Sequence, residues 1–278
     1  MIRGLVILLA GAAAASGFQA PDVATILRRS IEANQADWKA APDYDYSERD
    51  RKPSGSMTYR VWMIEGSPYR QLVAVNGKPL SAHDQKERQE ELQRVIAQRN
   101  SESASHRTER VAKYQQDRER DHILMQQLTQ AFNFRLVGER RQRGFTVYVL
   151  HATPRPGYQP PNTDSEVLTG MRGTLWVDTR TYQWVKVEAQ VVRPVSIAGF
   201  LARVQPGTRF ELEKMPVGDG IWQPKHFAMQ SNARVLFLFR RDAQEDETYF
   251  NYKKAAGSTS LVHGVLAARR CYDCGSIQ

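Results

Sequence analysis

From Ser81 to Ala131 the chain contains neither proline nor glycine and is dominated by Gln, Glu, Arg and Lys. These residue types lose little freedom in a helix, and the two that break one are missing. The segment therefore reads as one long helix or two consecutive helices. A break is expected near Asn100 to Ser105, where the polar run Asn-Ser-Glu-Ser-Ala-Ser competes for the backbone. Apolar residues are sparse at first (Leu92, Val95, Ile96, Val111) and dense only at Ile123, Leu124, Met125, Leu128 and Phe132. Such a helix is exposed over most of its surface and anchored at its C-terminal end. Nine acidic and nine basic residues between Asp84 and Asp121 leave it without net charge, as a solvated surface would be.

On both sides of this block the signals are for short strands. Before it, Asp22 to Ala40 reads as a helix capped by Asp22, with an apolar stripe of Val23, Ile26, Leu27, Ile31 and Trp38, stopped by Pro42. Tyr44 to Arg51, Met57 to Glu65 and Tyr69 to Val75 then read as a three-strand meander, the last turning at Asn76-Gly77. After the block, Asn133 to Arg141 and Phe145 to Ala152 are joined at Arg143-Gly144. A proline-rich connection from Thr153 to Thr169 is longer than an ordinary loop. Gly173 to Asp178 and Trp184 to Val192 form a hairpin, and Asp178 has the position of a turn residue. Phe200 to Val204, Arg209 to Met215, Ile221 to Ser231, Ala233 to Arg241 and Glu247 to Tyr252 complete the set. The order is α+β with one dominant antiparallel sheet and no βαβ alternation. So many consecutive strands curl toward a barrel or half-barrel.

Alternation identifies faces. Phe210 and Leu212 share a face opposite Glu211 and Glu213, and Val185 and Val187 oppose Lys186 and Glu188. Val235 to Phe239 is apolar on both faces, so each side is expected to be covered. The ordinary outcome is a packed core; the alternative is an interior only partly filled, open to an apolar ligand.

The ends of the chain bear on location. Arg3 precedes an uncharged stretch from Leu5 to Ala15, too short to span a bilayer, and Ala15-Ser16-Gly17 fits a small-x-small cleavage site. Residues 1–17 read as a secretory signal peptide, 18–254 as a single β domain carrying the helical insertion 81–131, and 255–278 as a tail. Export to the periplasm or beyond follows. The only two cysteines, Cys271 and Cys274, lie in that tail, where an oxidising compartment favours a local disulfide. The net charge of +9 suits contact with an anionic membrane surface, whereas no motif points to nucleic acid.

Catalytic patterns are not found. None of the six histidines has zincin spacing, and there is no Gly-x-Ser-x-Gly and no glycine-rich phosphate loop. His83 and Asp84 sit at a helix start, where capping is the simpler role, and His122 borders the apolar end of the charged helix. No metal or cofactor is expected.

One stretch carries a resemblance. Gly173-Thr-Leu-Trp-Val-Asp178 followed by Thr181-Tyr-Gln-Trp-Val-Lys-Val-Glu188 resembles a hairpin common in the periplasmic outer-membrane lipoprotein-sorting proteins of the LolA/LolB-like superfamily. The opening helix, Tyr59-Arg60-Val61-Trp62 and Asn76-Gly77-Lys78-Pro79-Leu80 fit the same plan. The resemblance implies an open, curved antiparallel half-barrel with helices over its mouth, holding lipid or acyl chains without enzymatic chemistry. It also implies a barrel arginine bonded to the helical lid, whose motif does not align here, and the charged segment departs from the compact carriers. On this reading Phe210, Leu212, Val235, Phe237 and Phe239 line the concave face; a register one residue off would exchange the last three for Leu236 and Leu238. The partner is a lipid or the acyl chain of a lipoprotein. The alternative is an envelope sensor that binds a protein partner through the charged helix.

Overall fold

The computed structural model describes residues 21–197, 202–235 and 239–255. The expected signal peptide, Phe237 and the tail cysteines Cys271 and Cys274 lie outside them. Helix α1 (Val23–Ala40) is capped by Asp22, whose carboxylate accepts the Thr25 N–H at 2.8 Å. The meander follows as β1 (Tyr44–Lys52), β2 (Gly55–Ile64) and β3 (Ser67–Val75), with a short β4 (Lys78–Pro79). The Asn76-Gly77 turn has positive φ at both residues, the geometry its sequence prescribes. The charged block forms α2 (Ala82–Ser101) and α3 (Ala104–Ala131), broken at Glu102-Ser103, within the expected interval. Ser81, rather than His83, caps α2: its hydroxyl accepts the Asp84 N–H and donates to the Asp84 carboxylate at 2.6 Å.

The remaining strands are β5 (Phe132–Gln142), β6 (Phe145–Pro154), β7 (Met171–Asp178), β8 (Trp184–Val191), β9 (Val195–Ile197), β10 (Ala202–Val204), β11 (Arg209–Gly218), β12 (Ile221–Val235) and β13 (Phe239–Lys254). Part of the proline-rich connection is a 3-10 helix (Thr163–Gly170) that buries Leu168. The expected separate strand from Ala233 to Arg241 does not form. Val235 pairs with Phe239, so its two halves are the facing ends of β12 and β13. The two ends of the apolar run, Val235 and Phe239, thus belong to two paired strands.

All these strands belong to one antiparallel sheet in the order β4-β3-β2-β1-β13-β12-β11-β8-β7-β6-β5, with β10 pairing β12 and β9 pairing β10. The end strands β4 and β5 do not pair, so the sheet is open. Register fixes two sides. Leu150, Leu175, Val187, Leu212 and Phe227 are partners across successive strands and share the side on which α1 packs. Continued through Tyr249–Glu48 and Glu48–Tyr59, the same parity places Ile64 on the far side. There Leu92 and Ile96 of α2 cover it. Met125 and Leu128, near the end of α3, pack on the α1 side. The two charged helices thus reach opposite sides of the sheet. Arg99 ties α2 to the carbonyls of Ile64, Ser67 and Pro68, and Arg110 ties α3 to the Glu65 carbonyl.

Candidate functional site

On the α1 side, β5 to β8 are sealed. Ile26 of α1 is fully buried against Tyr148, Leu150, Leu175, Val177 and Trp184. A contiguous cluster of Phe132, Ala152, Leu168, Met171, Val191 and Val195 continues toward the 3-10 helix. This part of the face is packed core.

The expected stripe of α1 is corrected by the structure. Its buried residues are Ile26, Ser30, Asn34 and Asp37. Val23 and Leu27 join the core only partly buried, and Ile31 and Trp38 are half-buried. The inward-facing second half of the helix is polar because the sheet answers it with polar groups. The Trp184 indole N–H donates to the Ser30 hydroxyl. Lys214 is ion-paired to Asp37 and donates to the Asn34 side-chain amide oxygen (Oδ1) at 2.8 Å. Asp37 also accepts the Trp222 N–H at 2.8 Å and the Gln183 amide at 3.0 Å. Burial pushes the Lys214 ammonium down, and Asp37 pushes it back up. A lysine, not an arginine, ties the sheet to the helix here. His122 of α3 stacks on Trp38 with ring centroids 4.3 Å apart.

Phe210 and Leu212 do share the α1 side, as the alternation required. Neither lines a closed cavity: Phe210 packs at the edge of one core cluster and Leu212 at the edge of the other. Their cross-strand partners Met229 and Phe227 are half-buried as well, and so are Val187 and Ala189 opposite them on β8. These six residues form an apolar strip at the margin of the sealed core. Val235 and Phe239 are paired farther along, at the end of β12 and the start of β13. The strip's second half, Phe227 and Met229, was missed because the strand around them reads as mixed polar and only the register brings them beside Phe210 and Leu212.

Beyond β12 the same side changes character. Phe227 faces Glu247, and Glu247 faces Asp50. Tyr46 stacks on Tyr252 at 5.4 Å and lies 5.9 Å from Tyr249, which donates its hydroxyl to Glu247. Arg70 lies 4.1 Å from the Tyr59 ring centroid and bonds Glu48 at 2.7 Å and Asp50 at 2.9 Å. Burial, reinforced by Asp50, pushes the Glu48 carboxyl up to about 8 despite Arg70. Glu48, Asp50 and Glu247 are close enough to hold an ion together, as are Glu211, Glu213 and His226 on the far side. Protein groups already answer both sets: Arg143 holds Glu213, Lys186 holds Glu211, and His226 lies 3.2 Å from Asp246.

The far side carries a cleft of about 780 Å³ that no sequence pattern announced. Its eighteen lining residues sort into three register rows. One wall is Thr153, Arg172, Gln190, Arg209, Gln230 and Gln244, one residue from each of β6, β7, β8, β11, β12 and β13. The other wall is His151, Thr174, Glu188, Glu211, Ala228 and Asp246 from the same strands. The floor is the backbone of the intervening row, whose side chains, among them Ala189, Phe210 and Met229, point to the α1 side. The walls are two residues apart along each strand, about 7 Å, and six strands make a trough about 24 Å long. Gly173, in this intervening row, has no room for a side chain on its α1 side. A Cβ there would lie 2.5 Å from the Glu188 carbonyl oxygen.

No family model matches the sequence, and no curated protein matches it. Solved structures to which this chain is similar include a LolA superfamily protein from Nitrosomonas europaea (12% identity, TM-score 0.31), covering 85% of this chain and 95% of that one. A DUF1329 family protein from Desulfovibrio piger matches at 11% identity and TM-score 0.29, covering 86% and 95%. A domain named for outer membrane lipoprotein sorting, from Vibrio parahaemolyticus, matches at 12% identity and TM-score 0.29, covering 83% and 94%.

Proposed function

We propose that this protein is a non-enzymatic, exported carrier or sensor that holds an apolar chain, from a lipid or a lipoprotein, along the strip of Val187, Ala189, Phe210, Leu212, Phe227 and Met229. The observation that carries this reading is the half-burial of those six side chains directly beside a sealed core on the same face. Apolar area left at a core margin gains about 25 cal/mol for each Å² that a ligand covers. An acyl chain, which has no polar group to satisfy, is suited to such a strip. Among the described residues no helix is long and apolar enough to cross a membrane.

The test is titration with a fluorescent fatty acid. Phe210→Lys combined with Phe227→Lys is expected to abolish binding, and Met229→Lys alone to weaken it, with circular dichroism verifying the fold. A folded double variant that binds as well as the parent defeats the proposal.

The second reading, a protein partner docked on the charged helices, draws on the exposed outer residues of α2 and α3. Deleting 81–131 cannot separate the two, because it removes Leu92, Ile96, Met125 and Leu128 from their packing clusters. Exposed substitutions such as Lys86→Glu with Glu87→Lys do separate them. They leave acyl binding intact and alter capture of a partner only if the helices bind it.

A further inference from the structure

The far-side trough has a chemistry of its own, and we propose that it binds a linear, hydroxyl-rich chain with anionic groups along one edge, an acidic polysaccharide. The proposal rests on which groups in the walls are uncommitted. Along the first wall, the Arg172 guanidinium forks onto the Gln190 amide, whose oxygen accepts at 3.0 and 3.1 Å once the amide is turned to present it, a neutral partner that leaves the charge unopposed. Arg209, Gln230 and Gln244 are exposed, directly opposite one another across three adjacent strands, and make no side-chain hydrogen bond or ion pair among the described residues. This wall is a row of donors carrying two positive charges, suited to carboxylate or other anionic oxygens.

The second wall differs. Glu188 and Glu211 share the Lys186 ammonium at 2.6 and 3.2 Å, and Asp246 has His226 beside it. Lys186 offsets one of the two glutamate charges, and the three carboxylates keep lone pairs that accept from hydroxyl groups. Thr174 supplies a further hydroxyl, and Ala228 leaves a low point between Glu211 and Asp246. Opposite walls therefore ask for opposite things: anionic acceptors on one edge of the ligand and O–H donors on the other.

Shape narrows the class. An open trough across six strands fits an extended chain better than a compact molecule. The walls offer no apolar recess for peptide side chains, since Phe210 and Met229 of the floor row turn their side chains to the other face. The floor's amides belong to the ladder between paired strands, so an added peptide strand would find no free backbone partners. A polyhydroxylated chain needs neither.

The experiment uses the whole protein and three polymers: polygalacturonate, dextran, which lacks the anions, and polyglutamate, which lacks the hydroxyls. Polygalacturonate is expected to bind at least about tenfold more tightly than either of the others, the loss expected when charge-assisted hydrogen bonds go unmade. Arg172→Gln with Arg209→Gln should weaken it about tenfold, and Gln230→Leu with Gln244→Leu, which keeps every charge, should weaken it as well. Lys86→Gln with Lys113→Gln removes the same charge from the helices and should change little. Failure of polygalacturonate to bind overturns the proposal, as does equal loss in the two charge-removing pairs. Equal affinity for polyglutamate reassigns the trough to an acidic polypeptide. Fatty-acid binding by the arginine variants is expected to be unchanged, so failure here is distinguishable from failure of the acyl-chain reading.

Discussion

The two halves of the α1 side are made from the same sheet by different means. Over β5 to β8 the face is closed by apolar contacts: Leu150 and Val177 are fully buried beneath Ile26. Over β1, β2 and β13 it also carries buried tyrosines and carboxylates, with Arg70 of β3 bonded to Glu48 and Asp50. The first half owes its stability to area removed from water. The second is held by charges whose balance depends on pH. Between them lies the margin where apolar side chains are only half covered, and it is there that the proposed acyl-chain strip lies.

The comparison breaks most sharply at Asp37, the pin between helix and sheet. Asp37→Ala leaves the Lys214 ammonium buried without its partner and is expected to cost about 3–5 kcal/mol by chemical denaturation. If it costs less than about 1 kcal/mol, α1 is held by its apolar first half alone. Next is Leu150→Ala, a cavity in the sealed half, expected at about 2–5 kcal/mol with no change in pH dependence. The smallest effect tests the other half. The Glu48 carboxyl is raised above its unfolded value of 4.5 to about 8, so the folded state holds the proton more tightly. That stability is fully present below about 4.5 and is lost as pH rises toward about 8. Glu48→Gln should therefore have a melting temperature that declines less over this range than the parent's. Parallel curves would show that Arg70 keeps Glu48 ionised throughout.

Local chemistry made much of the fold legible. Asn76-Gly77 and Arg143-Gly144 adopt the positive φ angles their residue types invite, and the polar run after Asn100 contains the helix break. Asp178 accepts the N–H groups of Arg180 and Thr181, as a turn residue should. Illegible features depended on partners remote in sequence. Ser30, Asn34 and Asp37 fall outside the apolar stripe read for α1, yet Trp184 and Lys214, the latter 177 residues beyond Asp37, answer them on its buried side. Val235 and Phe239 read as one strand because hydropathy does not distinguish a doubly covered strand from two strand ends facing each other. That Phe210 and Leu212 share a face was legible from alternation alone. Their neighbours Phe227 and Met229, and the whole trough, required the pairing of strands that no local pattern specifies.

The row through Gly173, Ala189, Phe210 and Met229 is a wall one residue thick with a different surface on each side. At Gly173 even a methyl group would press on Ala189 and on the Glu188 carbonyl oxygen. At Phe210 and Met229 a change of side chain alters the strip, while any shift of backbone alters the trough floor. Inherited variation along this row is therefore screened twice, and these positions should drift slowly in descendants that keep either surface in use.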